Sequence, residues 1–306
     1  MARLFDAYIM VDWSAAAKPT TGANSIWIGI LARDARLKFH FRAVNPPTRL
    51  NAQAIIRELT ERLTNRGDRV LLGFDFPLGY PSGTAAALGL DVSGTAPWQA
   101  MYAHLSSKMK DKPDNNSKAR FAVAASMNYS ISRGPFPFWG APKNDQANTL
   151  QSTKPPFGAD KPLREYRLVE QQMRDAGQGQ PKSVWQIYGN GSVGSQSLTG
   201  IPHVHALRQA WPEARIWPFE LGDGGPLSEE DLAGVKVVIA EIYPSLVRTK
   251  PESGEVADAA QIRGIAHRYA ELDEKRALSD AFSTAKGLEP AQNAKIQAEE
   301  GWILGI

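Results

Sequence analysis

Four acidic residues stand at or just beyond the ends of separate apolar runs. Asp12, Asp75 and Glu241 close the apolar parts of AYIMVDWS, RVLLGFDFPLGYP and VKVVIAEIYPS, and Asp258 opens a later helical pattern. An ionised carboxylate is costly in an apolar interior unless a partner neutralises it. Several carboxylates that converge at strand ends favour a bound cation, and Mg²⁺ or Mn²⁺ prefers such oxygen ligands. Ions of this kind activate water and stabilise a leaving oxygen.

Some of these acids also have an ordinary structural explanation. Negative charge is favourable in the first turn of any helix, so Asp258 could serve only the helix that it opens. Asp75 lies between two phenylalanines and precedes a proline, so its side chain could cap the following turn. Asp280, in RALSDAFSTA, is a later alternative to Asp258 as a helix ligand. The pair of Asp12 and Asp75 is therefore the stronger candidate for a functional role.

The elements that must position these acids follow from apolar periodicity. Short apolar or alternating runs predict strands over 5–12, 25–30, 37–44, 70–76, 214–219 and 235–243. Apolar residues at helical spacing predict helices over 51–65, 98–109, 117–128, 164–175, 194–209, 256–272, 275–284 and 290–299. A helix between two strands is typical of a parallel crossover.

Between about residues 77 and 226 the chain becomes rich in Pro, Gly, Asn and aromatic residues, with few clean strands. The sequence therefore predicts an α/β core of order βββαβ…βα, formed by residues 1–80 and 230–306. Residues 81–229 are predicted to be a large, mainly helical insertion, or cap, that selects a substrate.

Composition excludes several classes of protein. The chain of 306 residues contains no cysteine, which rules out disulfides, thiolate catalysis and cysteine-ligated zinc. No apolar run approaches the length of a membrane span, and the N-terminal stretch is typical of a first strand rather than a signal peptide. We therefore expect a cytoplasmic protein with no membrane partner. The net charge of +3 is compatible with a phosphate-bearing partner without requiring one.

The element order and three local motifs resemble those of a little-characterised family of predicted RNase H-like nucleases. The motifs are VDWSA at 11–15, GFDFPLGYP at 73–81 and EIYPS at 241–245. The resemblance implies an RNase H-like core in which Asp12, Asp75 and Asp258 bind Mg²⁺ or Mn²⁺ for phosphodiester cleavage. Glu241 has no firm counterpart in that family, although it ends the strand that we expect beside the first strand and could complete the catalytic site.

Two other functions stay open. Actin-like ATP-dependent phosphotransferases share this topology, and VDWSAAAKP would supply Asp12, Ser14 and Lys18 to a phosphate-binding hairpin. However, Trp13 and three alanines stand where such loops usually have glycine, so that the backbone can approach phosphate. A non-catalytic ligand-binding protein that keeps the acids for structure is the third possibility.

Two segments of the predicted cap are candidates for binding substrate. YGNGSVGSQSLTG, at 188–200, leads into a helix, and its Gly191, Ser192 and Gly194 could present backbone N–H groups to an anion. NYSISRGPFPFWGAPK places Arg133 near Trp139, a combination that can stack bases and hold phosphates. A plain turn explains the first segment, and a core patch pinned by prolines explains the second. Taken with the family resemblance, the acids imply a metal-dependent phosphodiesterase acting on nucleic acid or a phosphorylated small molecule.

Overall fold

The computed structural model describes residues 3–115, 118–189, 191–284 and 287–306. Within these ranges the chain is an α/β protein whose strands form one mixed sheet. The strands are β1 (Ala7–Asp12), β2 (Trp27–Arg33), β3 (Phe39–Val44), β4 (Val70–Phe74), β5 (Ala214–Ile216) and β6 (Val237–Glu241). Their order across the sheet is β3-β2-β1-β4-β6-β5.

The sheet changes from antiparallel to parallel pairing at β1. β1 pairs antiparallel with β2, and β2 pairs antiparallel with β3. On its other side β1 pairs parallel with β4, and β6 pairs parallel with both β4 and β5. Val11 is opposite Phe74, and Phe74 is opposite Glu241, so the carboxyl ends of β1, β4 and β6 lie at one edge.

The helices pack on both faces of the sheet. They are α1 (Arg49–Asn65), α2 (Thr84–Ala87), α3 (Pro97–Lys108), α4 (Ala119–Ser132), α5 (Leu168–Asp175), α6 (Gly194–Ala210), α7 (Ala257–Glu274), α8 (Leu278–Ala281) and α9 (Pro290–Lys295), and α9 continues into a π-helical turn over Ile296–Glu300. No helix in the described part of the chain is long and apolar enough to cross a membrane.

Alternation along β1 divides the buried residues into two cores. Ile9 and Val11 face the core that contains α1, α3, α4 and α6, whereas Tyr8 and Met10 face the core that contains α7. Such alternation is the expected result of a strand buried on both faces. The first core runs without a break from the sheet into the helices of 81–229. That region also contributes β5 to the sheet.

Most of the strands and helices expected from the sequence are confirmed. The helix predicted over 51–65 is α1, whose stripe of Ala52, Ile56, Leu59 and Leu63 is buried. Thr48 begins this helix by accepting a hydrogen bond from the backbone N–H of Asn51. The start of the helix predicted over 117–128 falls at residue 117, outside the described residues, and α4 extends to Ser132.

Three expectations were wrong in detail. The helix predicted over 275–284 is only α8, because Arg276 has a φ of +59° and interrupts helical geometry after α7. The helix predicted from residue 164 begins at Leu168, because Arg167 is extended. The strand that ends at Glu241 was expected beside β1, but it pairs with β4 and β5.

Arg167 connects the region before α5 to the sheet and to the C-terminal segment. Its fully buried guanidinium donates to both oxygens of Glu241, at 2.6 and 2.7 Å, and to Glu170. It also donates to the backbone carbonyl of Glu300 at 2.9 Å. One cation therefore neutralises two carboxylates that are themselves buried.

We predict that Arg167→Met destabilises the protein by about 3–5 kcal/mol, because two buried carboxylates lose their cation. Urea unfolding followed by circular dichroism measures the loss. Arg57→Met is the matched control, since Arg57 and Glu61 form an exposed pair, and we expect a change of less than about 1 kcal/mol. Equal destabilisation by the two substitutions would contradict the role assigned to Arg167.

Candidate active site at the end of strand β1

A cavity of about 1050 Å³ opens where β1 ends. It is lined by the loop after β1, by residues 187–189, 191–193, 195 and 196, by Ser245 and by the first turns of α7. Arg120 of α4 also contributes to the wall. The cavity thus lies between the carboxyl end of a central strand and the amino-terminal ends of two long helices, a common location for ligand sites in α/β proteins.

Asp12 and Asp75 are brought together by the parallel pairing of their strands. Asp12 is the last residue of β1, and Asp75 follows β4 directly. The backbone N–H of Asp75 donates to the carbonyl of Val11 at 3.1 Å, and the N–H of Trp13 donates to Oδ1 of Asp75 at 2.7 Å. Their two carboxyl groups are therefore neighbours, near enough for each to influence the ionisation of the other.

The pKa values of both carboxyl groups are raised. Burial is the main cause for Asp12, and repulsion from Asp75 and then from Asp258 adds to it. Burial is also the main cause for Asp75, opposed by the hydrogen bond from the Trp13 N–H and by the one from Asp12. An environment that raises the pKa values of adjacent carboxyl groups favours binding of a proton or a cation there.

Asp258 is the third acid of the group and lies in the first turn of α7. Its Oδ2 accepts a hydrogen bond of 2.7 Å from the backbone N–H of Asn24, in the loop between β1 and β2. It lines the cavity and is near enough to Asp12 to raise the pKa of that residue. Asp280, the alternative helix carboxylate, is exposed on α8 and does not line this cavity.

Glu241 does not join the other three acids. Its carboxylate is paired with Arg167 and accepts a hydrogen bond of 3.0 Å from the N–H of Leu78, and it does not line the cavity. Its position beyond a buried strand matches that of Asp75, but its charge is already neutralised. The contacts of Glu241 are therefore those of a residue that stabilises the fold, not of a ligand-binding or catalytic residue.

The loop after Asp12 is held by side chains from two helices. Gln196 of α6 donates to the carbonyl of Trp13. Arg49 of α1, which is fully buried, donates to the carbonyls of Ser14 and Ala16 at 3.0 and 2.8 Å. Arg49 is in turn paired with Asp111 at 2.6 Å. Side chains of α1 and α6 therefore fix the backbone of the loop that follows Asp12.

The glycine-containing segment before α6 forms the opposite wall. Gly191 and Ser192 line the cavity, and Gly191 has a φ of +70°, a left-handed conformation that glycine adopts without strain. Gly194 does not line it. A Cβ atom at Gly194 would lie 2.2 Å from the carbonyl oxygen of Val184, so this glycine permits close packing of two backbone segments.

A cation and a tyrosine complete the wall. Burial, followed by repulsion from Arg49, lowers the pKa of Arg120 to about 10, which leaves its guanidinium charged at neutral pH. Tyr188, whose side chain is half exposed, lines the same cavity. The lining therefore includes acids, a guanidinium and an aromatic ring.

Other residues singled out from the sequence have different surroundings. Ser14 lines the cavity, and its hydroxyl donates to the carbonyl of Asn24 at 3.3 Å. Lys18 is exposed, and Arg133 is exposed with its guanidinium 4.5 Å from the ring centre of Tyr129. Trp139 is partly buried, and its backbone N–H donates to the carbonyl of Trp185. Lys18, Arg133 and Trp139 do not line the cavity.

Sequence patterns alone did not identify Tyr188, Gln196 and Gln261 as residues of this wall. Arg120 stood out only as the last member of a basic stretch over 108–120, which a solvated loop explains as well. Tyr188 and Gln196 stand in the glycine-rich segment YGNGSVGSQSLTG. The glycines marked this segment as a candidate site, but nothing about Tyr188 or Gln196 themselves did. Arg120 and Gln261 lie on helices whose apolar periodicity describes only their buried faces.

We predict that Asp12→Asn raises the metal-free stability at neutral pH by roughly 1 kcal/mol, the usual size of a point-mutation effect. The folded state binds the Asp12 proton more tightly than the unfolded chain, so the wild type loses stability as pH rises above the ordinary carboxyl pKa of 3.8. The asparagine side chain donates to Asp75 at any pH. The difference between variant and wild type should therefore shrink towards pH 4, as measured by urea unfolding in EDTA.

Asp91→Asn is the control for this experiment. Asp91 is fully exposed, and hydrogen bonds from Ser93 lower its pKa, so its ionisation favours the folded state instead. The same substitution there should bring no stabilisation at neutral pH. A gain at Asp91 equal to that at Asp12, or a loss at Asp12, would contradict the electrostatic explanation.

Comparison of the chain with protein-family models, with curated proteins and with solved structures gave no match. The residues with a functional interpretation are Asp12 and Asp258, which line the cavity, and Asp75, which interacts with Asp12 but does not itself line the cavity. Arg120 and the segment before α6 line it on the other side.

Proposed function

We propose that this protein is a metal-dependent phosphodiesterase that acts on nucleic acid or on a nucleotide-like compound. The observation that carries the proposal is the convergence of Asp12, Asp75 and Asp258 at the end of β1, where Asp12 and Asp258 line a cavity that a guanidinium also lines. Acids that repel each other in a partly buried site gain most from a divalent cation. The neighbouring Arg120 supplies charge complementary to a phosphate.

The donor set fits Mg²⁺ or Mn²⁺. The chain contains no cysteine, and the acidic group offers only carboxylate oxygens, which these hard cations prefer. No three Asp, Glu or His side chains in the described part of the chain are already arranged as a metal-binding group. Mg²⁺ is commonly held by one or two carboxylates together with water and substrate phosphate, so Asp12 and Asp75 would suffice. Asp258 is the nearest further ligand.

Each side of the cavity has its own part in such a reaction. A bound ion would supply an activated water and would stabilise negative charge on phosphate oxygens. Arg120 binds the phosphate through charge-assisted hydrogen bonds. The amino terminus of α6, a helix of 17 residues, lies at the same cavity and favours the same negative charge. The clamped loop of Trp13 and Ser14 keeps the acids in place during binding.

We further propose that residues 1–80 and 230–306 form an RNase H-like core and that residues 81–229 are inserted into it. Support comes from three antiparallel strands followed by α1 and by strands parallel to β1, with an acid of α7 turned to the end of β1. The actin-like phosphotransferase has less support. Lys18, its candidate phosphate ligand, is exposed and does not line the cavity.

The first test of the proposal is metal binding. We expect Mn²⁺ at about 100 times its Kd to stabilise the wild type by roughly 2.7 kcal/mol, which appears as a rise in melting temperature. Asp12→Asn and Asp75→Asn should each abolish most of this rise, because each removes one of the two central carboxylates. Loss of the Mn²⁺ electron paramagnetic resonance signal on binding gives the stoichiometry independently.

Asp258→Asn and Asp280→Asn form a matched pair of helix variants. We expect Asp258→Asn to weaken Mn²⁺ binding and Asp280→Asn to leave it unchanged, since only Asp258 faces the cavity. Wild-type protein that binds no Mn²⁺, or binding that survives both Asp12→Asn and Asp75→Asn, would overturn the metal site.

The second test is hydrolysis of bis(p-nitrophenyl) phosphate and of single-stranded and duplex DNA and RNA in Mn²⁺. Asp12→Asn and Asp75→Asn should each lower the rate on the order of a hundred-fold, the usual cost of losing one electrostatic contact to a transition state. Asp280→Asn should retain the wild-type rate. Metal binding without hydrolysis of any of these substrates would reject the phosphodiesterase and leave a metal-dependent binding protein.

A further inference from the structure

Tyr188 has an exposed ring on a fixed backbone. Its side chain is 52% exposed although it lines the cavity. The preceding residue, Ile187, donates its N–H to the carbonyl of Trp139 at 3.0 Å and accepts a hydrogen bond from Ser195. A Cβ atom at Gly140 would lie 2.8 Å from the carbonyl oxygen of Tyr188, so the two backbones are in close contact. The ring is thus held at the cavity without being buried.

The surroundings of Tyr188 distinguish it from an ordinary surface aromatic. Tyr188 and Arg120 both line the cavity that Asp12 and Asp258 also line. An aromatic ring and a guanidinium in one cavity can hold one nucleotide, with the base on the ring and the phosphate on the cation. The volume of about 1050 Å³ is large enough for a ligand of nucleotide size.

We infer that Tyr188 is a stacking platform for an unpaired base and that it restricts the substrate to single-stranded nucleic acid. This inference rests on the proposed function, because it places the scissile phosphate between Arg120 and the acidic pair. A base within a duplex is already stacked on its neighbours, so it has no free face for the ring. Stacking accepts any base, so the platform selects strand state rather than sequence.

The test is fluorescence anisotropy with three labelled ligands: a single-stranded DNA octamer, an octamer of abasic sites with the same number of phosphates, and the corresponding duplex. A nucleoside monophosphate serves as competitor. Binding is measured in EDTA, which prevents cleavage, and is repeated in Ca²⁺ for the two single-stranded octamers. The variants are Tyr188→Leu, Tyr188→Trp and Tyr129→Leu. Tyr129 is the matched control, since it is 54% exposed beside Arg133 and does not line the cavity.

We expect the octamer to bind the wild type about ten-fold more tightly than the abasic octamer or the duplex, the size of one base–aromatic stack. Tyr188→Leu should lose that preference and leave abasic binding unchanged, while Tyr188→Trp and Tyr129→Leu keep it. Competition by the monophosphate as strong as that by unlabelled octamer would assign the site to free nucleotides instead of a strand and overturn that part of the inference. An unchanged melting temperature of Tyr188→Leu shows that the fold is intact.

Three outcomes would overturn the inference as a whole: equal binding of the abasic and ordinary octamers, a Tyr188→Leu affinity within two-fold of wild type, or no binding of any oligonucleotide. These outcomes are separate from failure of the proposed function. Base-dependent binding that needs Tyr188, without Mn²⁺-dependent hydrolysis, would reject the phosphodiesterase and keep the platform. Mn²⁺-dependent hydrolysis at the same rate for single strands and duplexes, and unchanged in Tyr188→Leu, would keep the phosphodiesterase and reject the platform.

Discussion

The parallel pairing of β1 with β4 is the constraint on which the site depends. Val11 and Phe74 are partners in this ladder, so the residues that follow them emerge side by side at the same edge of the sheet. Those residues are Asp12 and Asp75, separated by 63 positions in the chain. The parallel register thus makes the two carboxyl groups neighbours. Burial raises the pKa values of both groups, repulsion from Asp75 and Asp258 raises that of Asp12 further, and a bound proton or cation relieves this cost.

The rest of the fold prevents the acids from moving apart. Trp13 donates its N–H to Asp75 and accepts from Gln196, while buried Arg49 holds the carbonyls of Ser14 and Ala16. These contacts come from α1 and α6, which belong to the core on one face of the sheet. Asp258 approaches from α7, which belongs to the core on the other face. The acidic group is therefore assembled from both layers, and neither layer alone would form it.

Comparison of Glu241 with Asp75 shows that neighbouring residues determine whether an acid at a strand end is neutralised or lacks a counterion. The two residues follow or end neighbouring parallel strands, and both have raised pKa values because of burial. Arg167 reaches Glu241 and neutralises it, whereas the partners of Asp75 are a backbone N–H and another carboxyl group. A buried carboxylate that is already paired with a guanidinium has its charge neutralised and is not available to bind a cation. An acid paired with another acid still lacks a counterion.

Sequence periodicity alone determined the α/β class, most helix and strand positions, and the two acids at the ends of β1 and β4, because burial imposes a local pattern that the residue types record. The bounds of α5 and α8 depended on an extended Arg167 and a left-handed Arg276, for which periodicity carries no signal. Only the tertiary structure separated Glu241 from the acidic group and added Arg120 and Tyr188 to the cavity wall. Those assignments depend on contacts between residues far apart in the chain, which local patterns do not encode.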